Sequence, residues 1–152
     1  MKRALTMWLM ACLTLACQNE GINVREDGGG YDSILGTWLY TERGYSPGAG
    51  YVTVDVPGDP PQTIIFRSDL TMTSNIENIS KYKHYRLIED TLAQVQVLAF
   101  FEDYPGIKPP ALEDLTHAYS VQWEDDNLKL WYRWCIEGCH MKFRRLNSTD
   151  GE

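Results

Sequence analysis

The chain lacks any uncharged apolar run of about 20 residues, the length a helix needs to cross a hydrocarbon core of roughly 30 Å. Its longest such stretch, Ala4 to Ala16, is too short to span. It also lacks a basic excess: 14 Lys and Arg stand against 21 Asp and Glu, a formal charge of −7. That balance argues against nucleic acid, which rewards basic patches. There is no Gly-X-Ser-X-Gly elbow, no His-Glu-X-X-His and no phosphate-cradling glycine loop, so the sequence points away from an enzyme and implies no cofactor. Cysteine is scarce, with four in the chain.

What is present begins at the N-terminus. Lys2 and Arg3 form a positive head, and the apolar run to Ala16 has the length of a secretory h-region. Leu13-Thr14-Leu15-Ala16-Cys17 resembles a bacterial lipobox, although Thr14 stands where Leu is usual. Leu9-Met10-Ala11-Cys12 matches letter by letter but would leave a signal of eleven residues. The expectation is therefore residues 1–16 as a lipoprotein signal peptide, with Cys17 carrying diacylglycerol and an amide-linked palmitate; plain secretion with cleavage near Ala16 is the alternative. Diacylglycerol plus an amide-linked chain exceeds the two signals that stable anchoring needs. Residues 17–33, polar and containing Gly28-Gly29-Gly30, read as a tether that lets a domain stand off the headgroups. The expected location is the cell envelope; no aspartate follows Cys17 to mark inner-membrane retention, and the lipoprotein resemblance implies the outer membrane, facing the periplasm or the outside.

The 136 residues from Cys17 to Glu152 carry 12 basic and 21 acidic side chains and suffice for one domain with a core. Turn signals recur along residues 34–146 at the spacing of an all-β sandwich or barrel. Expected strands are Thr37–Thr41, Tyr51–Val56, Gln62–Arg67, Leu70–Asn75, Tyr82–Glu89 and Thr91–Phe101. After these come strands through Tyr119–Trp123 and Leu128–Tyr132, and last Cys139–Leu146. Eight or nine antiparallel strands with short links favour an up-and-down β-barrel, whose closure removes exposed edges. Pro105, Pro109 and Pro110 exclude a strand from Glu102 to Thr116, which reads as a long loop or lid with one helical turn. Residues 147–152 form a polar tail.

Several residues carry a family likeness. Ile34-Leu35-Gly36-Thr37-Trp38 looks like the Gly-X-Trp start of the first lipocalin strand. Ile64 to Thr71 resembles the strand pair that follows in short bacterial lipocalin-like domains, with Leu70 where Gly is more usual. Cys135-Ile136-Glu137-Gly138-Cys139 and Lys142 to Leu146 resemble the last hairpin of lipocalin-like lipoproteins of the Bacteroidetes type. The resemblance implies a small barrel closed at one end by Gly36, Trp38 and a basic residue of the last strand, Arg145 or else Arg144. It also implies a binding module for a small hydrophobic ligand.

In an oxidising compartment Cys135 and Cys139 read as a disulfide; the alternative, a Cys-Cys-His metal site with His140, has no second half in the sequence. Glu124-Asp125-Asp126 lacks the spacing of a calcium loop and reads as a solvated turn. Tyr104, Trp123, Trp131 and Tyr132 are the candidate ligand contacts, since alternation cannot bury all the aromatics of this half. A surface that binds a protein or glycan partner through exposed aromatics is the competing reading.

Overall fold

The computed structural model describes residues 34–108 and 110–146. The expected signal peptide, Cys17, the tether and the polar tail lie outside the described residues. Nine strand segments run β1 (Gly36–Tyr45), β2 (Val52–Asp55), β3 (Thr63–Phe66), β4 (Met72–Ser74), β5 (His84–Asp90), β6 (Val95–Phe101), β7 (Ala118–Glu124), β8 (Asn127–Tyr132) and β9 (His140–Leu146). The fold is all-β, and every pairing is antiparallel.

The nine segments make eight staves. β2 pairs with the second half of β1, Glu42 to Tyr45, and β3 pairs with its first half, Gly36 to Leu39. Val56 donates to the Thr41 carbonyl at 2.9 Å and Tyr40 to the Gln62 carbonyl at 2.8 Å, so β2 and β3 are one strand position interrupted by Pro57-Gly58-Asp59-Pro60-Pro61. Proline supplies no ladder donor, and the chain leaves the sheet where three prolines fall within five residues. The order then follows the sequence to β9, which pairs back with β1 from Thr37↔Leu146 to Gly44↔His140. Between β4 and β5 the ladder is short: a Thr71–His84 bridge, Met72 N to Lys83 O at 2.8 Å and Tyr85 N to Leu70 O at 3.1 Å. The sheet is thus a nearly closed up-and-down barrel.

Alternation aims one row of each strand inward. Trp38, Ile64, Phe66, Met72, Tyr85, Leu98, Phe100, Leu128, Leu130 and Phe143 are all buried. Aromatic rings pack against one another inside, Phe66 on Tyr85 at 4.9 Å, Phe100 on Tyr119 at 5.3 Å and Tyr40 on Phe143 at 5.2 Å. The connection between β4 and β5 adds Ile76, Ile79 and Tyr82 to this core, with Tyr82 against Phe100 at 6.0 Å.

At the first-strand end Trp38 is fully buried and donates its indole N–H to the Ile34 carbonyl at 2.8 Å. Arg145, register partner of Trp38, lies over its ring at 4.3 Å and donates to the Leu35 carbonyl at 2.7 Å. Arg144 falls on the opposite face and is exposed. Gly36 has φ of +114°, and a Cβ there would come within 3.4 Å of the Arg145 guanidinium, so glycine answers both the backbone and the space.

Two expectations are corrected. The third hairpin turns over Thr91–Gln94 rather than at Glu89-Asp90, because Asp90 Oδ1 accepts from the Leu92 and Ala93 amides at 3.2 and 3.0 Å and fixes the turn after itself. β1 runs on to Tyr45, past the expected Thr41, by taking an irregularity between Tyr40 and Glu42. The Glu102–Thr116 segment is the expected long loop with one helical turn, and it packs against the barrel wall. Leu112 and Leu115, from a 3-10 turn at Leu112–Asp114, cover the outer face of β6 and β7 and bury Val97, Ala99 and Ala118 in a second cluster. Small Ala99 and Ala118 on the outside of the sheet are what allow that approach. Elsewhere strand ends fall within one or two residues of expectation: Thr63–Phe66 and Met72–Ser74 are shorter, while β7 and β8 reach one residue further, to Glu124 and from Asn127. Leu70 takes the left-handed conformation, φ 65°, at the site where glycine is more usual, and Asp69 Oδ1 supports it by accepting from Thr71 N at 2.9 Å.

Trp38→Ala is expected to cost about 3–5 kcal/mol in urea unfolding, and Arg145→Met about 0.5–2 kcal/mol for the lost cation–π contact. A second prediction concerns acid. The Ala93 amide first, and then the Arg133 guanidinium at 2.8 Å, hold the Asp90 carboxyl below its usual range. A lowered folded value means the contribution is complete above the ordinary aspartate range and fades as pH falls through the lowered one. The stability difference between the wild type and Asp90→Asn, followed by thermal melts from neutral to acid pH, should therefore shrink as the pH drops.

Candidate binding surface

The four aromatics named from the sequence do not come together. Trp123 faces inward against Trp38 at 5.8 Å, and Tyr132 faces inward against Tyr119 at 5.3 Å. Trp131 faces outward on β8, one residue from Tyr132, as strand alternation requires. Tyr104 is exposed on the outside, with Arg86 over its ring at 5.0 Å. Arg86 is itself buried and donates to the Gly106 carbonyl at 3.0 Å, so Tyr104 belongs to the fastening of the β6–β7 connection.

What gathers instead is a group around Trp131 that spacing did not reveal. Across the ladder Trp131 pairs with His140, and the rings lie 5.0 Å apart. Tyr51, from the connection ahead of β2, stacks on His140 at 5.7 Å and meets Trp131 at 6.1 Å. Lys129 lies over Trp131 at 5.0 Å, and the Trp131 indole N–H donates to Gln122 Oε1 at 2.8 Å. These residues come from three separate parts of the chain, which only the barrel's closure brings into register.

His140 is buried and bonded at both nitrogens. Nε2 contacts Glu42 Oε1 at 2.8 Å, and Nδ1 contacts the Tyr51 hydroxyl. Since a carboxylate only accepts, Nε2 is the donor to Glu42, and with the ring proton there Nδ1 accepts from the Tyr51 hydroxyl. Partial burial, with the Glu42 carboxylate adding to it, raises the Tyr51 phenol above its ordinary value, so it remains a donor at neutral pH. The consequence is mechanical: Tyr51 is 46% exposed yet held at its tip by a buried histidine. Gly44 makes the space, for a Cβ there would collide with both the Tyr51 hydroxyl and the His140 ring. A glycine inside a strand marks close approach, but only the structure puts Gly44 within β1, since the expected strand ended at Thr41.

The β8–β9 connection completes the rim. Cys135 and Cys139 are joined in a disulfide with Cα atoms 5.7 Å apart, so neither sulfur is free to ligate a metal beside His140. Gly138, φ +79°, puts the loop against the site: a Cβ there would lie 3.6 Å from Trp131 and 3.7 Å from Tyr51. Trp134, 52% exposed, donates its indole N–H to the Leu115 carbonyl at 2.8 Å, tying this loop to the neighbouring one. Tyr45, Tyr51, Trp134 and Ile136 thus stand exposed on adjoining connections at one end of the barrel.

No protein-family model, curated protein or solved structure matches the chain.

Gly44→Ala should destabilise the protein by about 1–3 kcal/mol in urea unfolding, the range for forcing atoms into filled space. Adding His140→Ala to that background should change little more, because the first substitution has already displaced the ring; a fully additive double mutant would count against the shared cradle.

Proposed function

We propose that the chain is a lipid-anchored, non-catalytic binding module of the bacterial cell envelope, lipocalin-like in type and attached through Cys17. Its working surface is the outer rim around Tyr51, Trp131 and Trp134, not the lumen. One contrast carries this reading. The inward row is packed with the protein's own side chains, Trp38, Phe66, Phe100 and Phe143 among those 4% exposed or less. On the outside, an exposed Tyr51 is held in place by a buried hydrogen-bond chain, and an exposed Trp134 is fastened by its N–H. Small eight-stave barrels are often filled in this way, and function then resides on the surface.

A second reading, a small hydrophobic ligand inside the barrel, has one observation in its favour. Inward-facing Leu87, Val121 and Trp123 are only partly buried, and Trp123 Nε1 has no hydrogen-bond partner among the described residues. A buried donor without an acceptor is costly, and a ligand carrying an oxygen would satisfy it.

Two measurements test the proposal. In a bacterial host, Cys17→Ser should abolish incorporation of a labelled palmitate analogue and move the protein out of the membrane fraction. A photo-crosslinking residue at Ile136 should form adducts in cells, while the same residue at Leu92, equally exposed in the β5–β6 turn, should not. Adducts at Leu92 alone would reject the rim. A small molecule seen in native mass spectra, and lost in Trp123→Phe, would move the site to the lumen.

A further inference from the structure

The exposed large apolar side chains are not scattered. Tyr45, Tyr51 and Val52 flank the β1–β2 connection, Tyr104 and Ile107 lie in the β6–β7 connection, and Trp134 and Ile136 lie in the β8–β9 connection. In an up-and-down barrel these three connections share one end with the β4–β5 connection, which carries Glu77, Lys81 and Lys83. The opposite end, with the β3–β4, β5–β6 and β7–β8 turns, shows Leu92. Contacts join the three connections: Gly138 of the β8–β9 connection lies beside Tyr51, and Trp134 donates to the Leu115 carbonyl of the β6–β7 connection.

We propose that this rim docks on a lipid bilayer, with Ile107 and Ile136 entering the acyl boundary and Tyr45, Tyr51 and Trp134 at headgroup level. The proposal deepens the reading of the protein as an envelope module by naming the rim's partner. Two observations select a bilayer over a folded partner. The fully exposed aliphatics, Ile107 at 95% and Ile136 at 102%, stand at loop tips rather than in a groove. Tyrosine and tryptophan, each with one polar end, surround them, and this is the composition of a membrane interface. Charge is uneven over this end: residues 46–51 have none and residues 133–139 have Arg133 and Glu137, while the connection that carries Ile107 has Glu102, Asp103, Lys108, Glu113 and Asp114. Partition of such a rim is apolar and disfavours anionic lipid.

The covalent reach permits this pose. Sixteen residues separate Cys17 from Ile34 and can extend to roughly 55 Å, against roughly 23 Å for a seven-residue strand. A chain anchored at Cys17 can therefore present the end away from Trp38 to the same bilayer.

The test uses the unlipidated chain beginning at Gln18, which keeps every described residue. It should co-sediment with neutral phosphatidylcholine vesicles, with little change between low and high salt, and less with anionic vesicles, which an acidic protein avoids. Brominated lipids should quench tryptophan emission. Ile107→Asp and Ile136→Asp should each lower partition about tenfold, with unchanged melting temperatures, and Leu92→Asp should not alter it. No sedimentation with neutral vesicles would overturn the proposal, as would equal loss from Leu92→Asp. So would a rim variant that turns a dimer into a monomer without touching vesicle binding, since the occupant would then be a second copy. Palmitate labelling at Cys17 is read separately, so failure of the anchor and failure of the rim are distinguishable.

Discussion

Everything else in the molecule depends on the pairing of the first strand with the last. β1 and β9 meet more than 90 residues apart in sequence, and their register aligns Trp38 with Arg145 and Gly44 with His140. At one end of that seam a guanidinium covers an indole and both are tied to the backbone just ahead of β1. At the other end a glycine leaves room for a buried imidazole, which in turn holds an exposed phenol. Slip the seam by one residue and every inward side chain would face outward, so the closure and the rim share a single constraint.

The barrel treats its outer surface in two ways. Over β6 and β7 the β6–β7 connection lays Leu112 and Leu115 on Val97, Ala99 and Ala118, giving those strands an apolar layer on both faces. Over β8 and β9 the outer row is polar, with Lys129 and Lys142 on Glu124 at 3.1 and 2.9 Å. These lysines hold the Glu124 carboxyl below its usual range. The near-continuous apolar run of β6, Val95 to Phe101, thus has a local cause, while the alternation in β8 marks a strand with one wet face.

Much of this was legible in the chain. Glycine and proline mark the turns, and period-two alternation places Tyr119, Val121 and Trp123 on one face of β7 and Leu128, Leu130 and Tyr132 on the facing side of β8. The all-β class, the barrel-shaped sheet and the Cys135–Cys139 disulfide follow from such local features and from cysteine count. The β6–β7 segment was harder. Prolines correctly excluded a strand, but whether the loop hangs free or packs is decided by what lies beneath it, and here two alanines leave a shallow bed. The turn after Asp90 was missed because Thr91 to Phe101 reads as β-forming throughout, while the Asp90 carboxylate takes two amides and overrules propensity.

The amino-acid sequence by itself determined the strands, the inward and outward rows, and the pairing of two nearby cysteines, because each of these is set by residues within a few positions of one another. Only the tertiary structure decided that β2 and β3 are one interrupted stave, that Trp131 rather than Trp123 or Tyr132 stands at the surface group, and that Tyr51, Glu42 and His140 meet. The physical reason is register. Contacts between residues 42, 51 and 140 exist only after loop closure across most of the chain, and no local pattern encodes which distant neighbour a strand will find.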